Sequence, residues 1–189
     1  MSHFFVAAIV PSGTENIEDF ITNNMSRYDE NKEIEPYKEE VDHVPMIEFY
    51  KVHNIKELVK KVKDWNGNEG FIEDEKLYCM NTYNPDSTWD WYRIGGRWDG
   101  VIQKIERLSE DRGFNFNDDH QQLVNNVTTT EKFIIDEITA FAVLTPEGEW
   151  IENDNKSYNI VDKSKRLAEL KIIMEKYPDH QVVGLDCHV

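Results

Sequence analysis

Two apolar runs, one near each end of the chain, restrict its fold more than any other feature. The first is H-F-F-V-A-A-I-V, His3 to Val10, and the second is Q-V-V-G-L-D-C-H-V, Gln181 to Val189. A run that is apolar at consecutive positions reads as a strand covered on both faces. Strands mixed with helices and hairpin-like connections point to an α+β fold, with a mostly antiparallel sheet and helices packed on one face. A ferredoxin-like sheet is the template that fits, because its first and last strands lie side by side and antiparallel.

Asn16 to Met25 predicts a short helix with Ile17, Phe20 and Ile21 on one face. Ser26 to Glu48 is strongly acidic, broken by Pro36 and Pro45, and reads as an exposed excursion with little regular structure. Met46 to Val52 is expected as a short strand. Asn54 and Glu57 form a capping-box pattern at the start of a helix whose stripe is Ile55, Leu58, Val59 and Val62. Lys56, Lys60, Lys61 and Lys63 give that helix a basic outer face. Leu77 to Tyr83 and Trp98 to Ile105 read as strands, and Leu108 to Thr130 as a long polar loop or lid. Ile138 to Leu144 and Glu149 to Ile151 flank the turn Thr145-Pro146-Glu147-Gly148, a hairpin signal. Lys163 to Tyr177 predicts the clearest helix, with Asp162 as its cap.

With 189 residues the expectation is a single domain over 1–189, carrying the acidic excursion at about 26–48 and the polar loop at about 108–130. The formal charge of −16 repels phosphate backbones, so direct nucleic-acid binding is disfavoured. The same charge suits a basic protein partner, or an acidic mimic that blocks a nucleic-acid enzyme. Cys79 and Cys187 lack C-x-x-C spacing, which disfavours a structural zinc site or a disulfide scaffold. No apolar run has the length of a membrane span, and no leader pattern opens the chain, so it is expected to act in the cytoplasm.

Side-by-side terminal strands have a chemical consequence. On the last strand Gly184, Asp186 and His188 share one face, with Val183, Leu185 and Cys187 on the other. His3 then lies near His188, and His3, Asp186 and His188 become candidate catalytic residues, two imidazoles and a carboxylate able to act as acid, base and orienter. A metal there would need at least one more ligand, and no resident metal is expected. There is no Walker loop, G-x-S-x-G, H-E-x-x-H or dinucleotide fingerprint, so no cofactor is implied.

The second candidate site is Tyr83 to Gly100, Y-N-P-D-S-T-W-D-W-Y-R-I-G-G-R-W-D-G. Trp89, Trp91, Tyr92 and Trp98 supply flat apolar area, Gly95-Gly96 permits close approach, and Arg97 offers a planar fork for an anion. These residues read either as the wall of a ligand site or as a buried hairpin corner.

The same stretch resembles an uncharacterised family of tailed-phage and prophage proteins. Their marks are an opening M-S-H-F, a central Y-N-P-x-S-x-W-D-W-Y-x-I-G-G-R-W and a closing D-C-H plus an aliphatic residue. Here these are Met1 to Phe4, Tyr83 to Trp98 and Asp186 to Val189, with F-A-V-L-T-P-E-G-E-W, Phe141 to Trp150, as a fourth match. The resemblance spans the chain, with divergent segments between, and implies a phage or prophage origin and a single-domain protein. It brings no established activity. The resulting expectation is a non-enzymatic binding protein that captures a small anionic, nucleotide-like ligand or a host protein and so counters host defence. The alternatives are a phosphoester or nucleotide hydrolase using His3, Asp186 and His188, and the acidic mimic.

Overall fold

The first strand, β1 (His3–Val10), is sandwiched as its uniform apolarity requires. The computed structural model describes residues 2–61, 70–104, 123–154, 160 and 162–189. Backbone contacts divide the chain into two compact units, residues 1–30 with 86–189, and residues 31–85.

The first unit holds a sheet of six strands: β1, β5 (Trp91–Ile94), β6 (Val127–Thr129), β7 (Ala142–Leu144), β8 (Trp150–Glu152) and β9 (Gln181–His188). Its order is β5-β9-β1-β7-β8, and β6 pairs with β9 on the edge that β5 also uses. β1 and β9 are antiparallel over their full length, with His3 opposite His188 and Val10 opposite Gln181. The α+β class and the paired terminal strands are as the sequence predicts. The hairpin, however, is inserted the other way round from a ferredoxin-like sheet. Its first strand, β7, lies directly beside β1 and parallel to it, and β8 takes the outside. The Thr145–Gly148 turn closes with a bond from the Gly148 N–H to the Thr145 carbonyl at 2.9 Å.

Helices cover both faces rather than one. On the first face Phe4, Val6, Ala8 and Val10 pack with Leu185 and Cys187 under Ile21 and Met25 of α1 (Ile17–Met25). Asn16 caps that helix, accepting from the Asp19 N–H. On the second face Phe5, Ala7, Ile9 and Val182 meet Phe133 of α4 (Thr130–Ile135) and Leu170, Ile173 and Met174 of α5 (Lys163–Met174). Asp162 caps α5 as expected, accepting from the Lys165 N–H. Arg166 on α5 is buried, and its guanidinium donates to the carbonyls of Ala140 and Phe141 at 2.8 and 2.9 Å. Its burial pushes its pKa down, while Glu169, bonded at 3.0 Å, opposes the shift. Arg166→Met would strip donors from buried carbonyls at the entry to β7. It is expected to cost about 2–4 kcal/mol, measured by denaturant unfolding.

The second unit is built on an antiparallel sheet of β2 (Tyr37–Glu40), β4 (Lys76–Asn81) and β3 (Phe71–Glu73), in the order β2-β4-β3. α2 (Val44–Tyr50) and α3 (Ile55–Lys61) accompany it, with Leu58 and Leu77 buried among Met46, Ile47 and Tyr50. The acidic segment is therefore not a structureless excursion. Its charges on β2 are met across the sheet: Lys38 pairs with Glu73, Glu40 with Lys76 at 2.7 Å, and Glu39 accepts from Asn81. The strand expected over Met46 to Val52 is the helix α2. Pro45 lies in its first turn, where a missing N–H costs nothing, and Lys51 ends it in a left-handed conformation. The capping pattern at Asn54 holds, since its side chain accepts from the Glu57 N–H at 3.0 Å.

The strand expected from Trp98 to Ile105 is replaced by two short 3-10 turns, Gly96–Trp98 and Val101–Gln103. Residues 108–122 of the expected lid lie outside the described residues, as do Val62, Lys63 and Ile105; the end of that segment is β6.

Candidate functional site

The site grows from the alternation of side chains across three adjacent strands. The register sets His3 of β1 and Trp91 of β5 on either side of His188 of β9. Period-two alternation then puts His3, Asp186, His188, Trp91 and Arg93 on one face of the sheet, the face that carries Phe5 and Val182 farther along.

Each imidazole is held by its own carboxylate. The His3 Nδ1 lies 2.8 Å from Asp186 Oδ1, and the His188 Nδ1 lies 2.7 Å from Asp90 Oδ1. The rings meet edge to face with centroids 4.9 Å apart. With both Nδ1 atoms engaged, Nε2 is the remaining nitrogen of each ring, and among the described residues neither Nε2 has a hydrogen-bond partner. Trp91 lies nearly parallel to His188 at 5.3 Å, and its ring is also edge-on to His3 at 5.3 Å.

Asp186 is fully buried, and its second oxygen accepts the backbone N–H of Arg97 at 2.9 Å. That bond needs the Gly95-Gly96 turn. Gly95 and Gly96 have φ of +73° and +52°, a region that side chains with a Cβ rarely enter. A Cβ on Gly96 would stand 2.4 Å from the Asp186 carboxylate, and one on Gly95 would stand 2.2 Å from the Asn126 side chain. Asn126 is itself buried and ties the following turn, accepting from the Gly100 N–H and donating to Asp99. Its carbonyl also accepts from the Gly184 N–H at 2.8 Å, while Gly95 donates to the Gly184 carbonyl at 2.9 Å. Gly184 is thus the point on β9 where the tandem strands β5 and β6 change over.

The structure brings together all of His3, Asp186 and His188, and it adds Asp90 and Asn126, which sequence reasoning missed. Asp90 stands just before β5 and reaches its place through the backbone, donating its N–H to the His188 carbonyl at 3.0 Å. Alternation gives no signal for it, since W-D-W read as a strand would set Asp90 on the face away from Trp91.

The proposed tryptophan wall is divided. Trp89 is buried in the core of the opposite face, edge-on to Tyr92 at 5.1 Å. Tyr92 points the same way, and its hydroxyl bonds Thr22 at 2.9 Å. Burial pushes the Tyr92 phenol pKa up. Neither belongs to the histidine face: Tyr92 alternates with Trp91 along β5 and lies opposite Cys187, and Trp89 is turned away because strand alternation breaks at Asp90. Trp98 is half-buried on the histidine side, 5.9 Å from Phe5. Arg97 contributes its N–H to Asp186, and its side chain is exposed. Cys187 is fully buried on the opposite face, and desolvation raises its thiol well above the ordinary range, which suits core rather than nucleophile.

Among the described residues, no helix is long and apolar enough to cross a membrane, and no group of three or more His, Cys, Asp or Glu is arranged to hold a metal ion. Compared with known protein families, with curated proteins and with solved structures, the chain matches none.

Proposed function

We propose that this protein is a phosphoester hydrolase whose acid–base pair is His3 and His188. One observation carries the reading: two imidazoles 4.9 Å apart, each with its Nδ1 held by a carboxylate. A carboxylate on Nδ1 fixes the tautomer and leaves Nε2 to exchange protons with a substrate. Two such rings supply what hydrolysis of a phosphoester needs. One Nε2 takes a proton from the attacking water, and the new P–O bond forms. The other gives its proton to the leaving oxygen as the old P–O bond breaks. The products are a phosphate and an alcohol, and proton exchange between the rings and solvent restores the starting state. Arg93, opposite Asp186 on the same face, adds positive charge for the anion.

The motif resemblance to tailed-phage proteins supports a setting in an infected cell.

The test is release of nitrophenol from 4-nitrophenyl phosphate and from bis(4-nitrophenyl) phosphate. Turnover is expected to fall by about a hundredfold to ten-thousandfold in His188→Gln and in His3→Gln. Equal rates in all three proteins would sink the hydrolase reading. No turnover by the wild type, together with tight anion binding, would return the weight to capture without chemistry.

A further inference from the structure

We infer that the substrate of this site is a short nucleotide, whose base stacks on the outer face of Trp91 while its phosphoester meets the two histidines. The inference rests on the acid–base reading above and names the substrate class it leaves open. Trp91 is 39% exposed and stands on β5, the edge strand of its sheet. Among the described residues of its unit it is the one large aromatic side chain that is exposed; the others exposed there are aliphatic. A tryptophan kept for packing buries its ring, as Trp89 does at 7% exposure. Trp91 instead lays one face on His188, with the planes 13° apart, and sets against the edge of His3. His188 and Trp91 are stacked and His3 stands edge-on to both, so the stacked pair leads from the imidazoles to an indole partly open to solvent. A planar ring added to that end, linked through a sugar to a phosphate, would span the stack back to the imidazoles.

The charge of the protein then selects among nucleotide substrates. A formal charge of −16 opposes a long polyanion, whose affinity grows with each phosphate that meets a cation. A mononucleotide or short oligonucleotide brings few phosphates and gains its affinity from stacking, which needs no net charge. The fitting substrate therefore has one or two aromatic bases and a small number of phosphates.

The experiment is calorimetric titration with two probes, inorganic phosphate and adenosine 5′-monophosphate, against wild type, Trp91→Ala, Trp91→Phe and His188→Gln. The wild type is expected to bind the nucleotide more tightly than phosphate. Trp91→Ala should weaken the nucleotide by about tenfold to a hundredfold and leave phosphate unchanged, and Trp91→Phe should recover most of the loss. Nucleotide binding unchanged in Trp91→Ala, or wild-type affinity no greater for the nucleotide than for phosphate, overturns the inference. Equal weakening of both probes also overturns it, since that marks Trp91 as a support for His188. Phosphate binding that is indifferent to His188→Gln counts instead against the acid–base reading. Absence of binding by either probe defeats both.

Discussion

Asp186→Asn is expected to cut turnover by about a hundredfold to ten-thousandfold while leaving the protein folded. The side chain is fully buried and has two tasks, accepting from the Arg97 N–H and engaging His3 Nδ1. An amide keeps its volume but has only one accepting oxygen. If that oxygen stays with the Arg97 N–H, the amide NH2 faces His3 Nδ1. The imidazole must then accept at Nδ1 and carry its proton on Nε2. A neutral ring in that tautomer is no base at Nε2 and a poor acid. The pH–rate profile should lose one limb, which a purely structural lesion would not do. Asp90→Asn should have a smaller effect, because Asp90 is a third exposed and water can replace part of its role. An Asp186→Asn rate above a tenth of wild type would refute the orienting role.

Gly96→Ala is expected to have the largest effect on stability and to abolish turnover with it. The added Cβ would lie 2.4 Å from Asp186 Oδ2 and 2.5 Å from its Cβ, inside any tolerable contact. Asp186 has no room to retreat, being fully buried on a central strand. The positive φ adds a penalty of about 1–2 kcal/mol for a residue with a Cβ, and forced packing adds about 1–3 more. The sum corresponds to a fall in Tm of about 5–15 °C for a chain of this length. Gly13→Ala is the control, since Gly13 also has positive φ but nothing lies within 4 Å of its Cβ. It should show the backbone penalty alone. If the two variants melt together, the contact with Asp186 is not what makes Gly96 necessary.

These two residues also mark how far the sequence could be read. Period-two alternation on β9 is legible in the sequence, and it places Asp186 and His188 on one face. The pairing of the terminal strands followed from two apolar runs that each needed a partner, while the register that sets His3 opposite His188 is seen only in the fold. Asp90 was not legible, because it sits where strand alternation fails and its position is set by a backbone bond to His188. The same break sent Trp89 to the opposite core, where ordinary alternation already put Tyr92, so a wall that looked continuous in sequence is divided in space. The order of the hairpin strands is a long-range choice that local pattern does not encode. The second unit was hidden by its charge. Glu39 and Glu40 look like solvated loop residues until their cross-strand partners, Asn81 and Lys76, are known. Pro45 looked like an interruption and is the first turn of a helix.

The central place of β9 has a consequence for synthesis on the ribosome. Both of its edges are taken by earlier segments, β1 on one side and β5 with β6 on the other. Until residues 181–188 leave the exit tunnel, those segments have no shared partner, and the bare edge of β1 is open to other nascent chains. His188 is also the last to be made of the two histidines and the two carboxylates that hold them, His3, Asp90, Asp186 and His188. The emerging protein therefore carries its hazard early and completes its pair of histidines late, and the same eight residues resolve both.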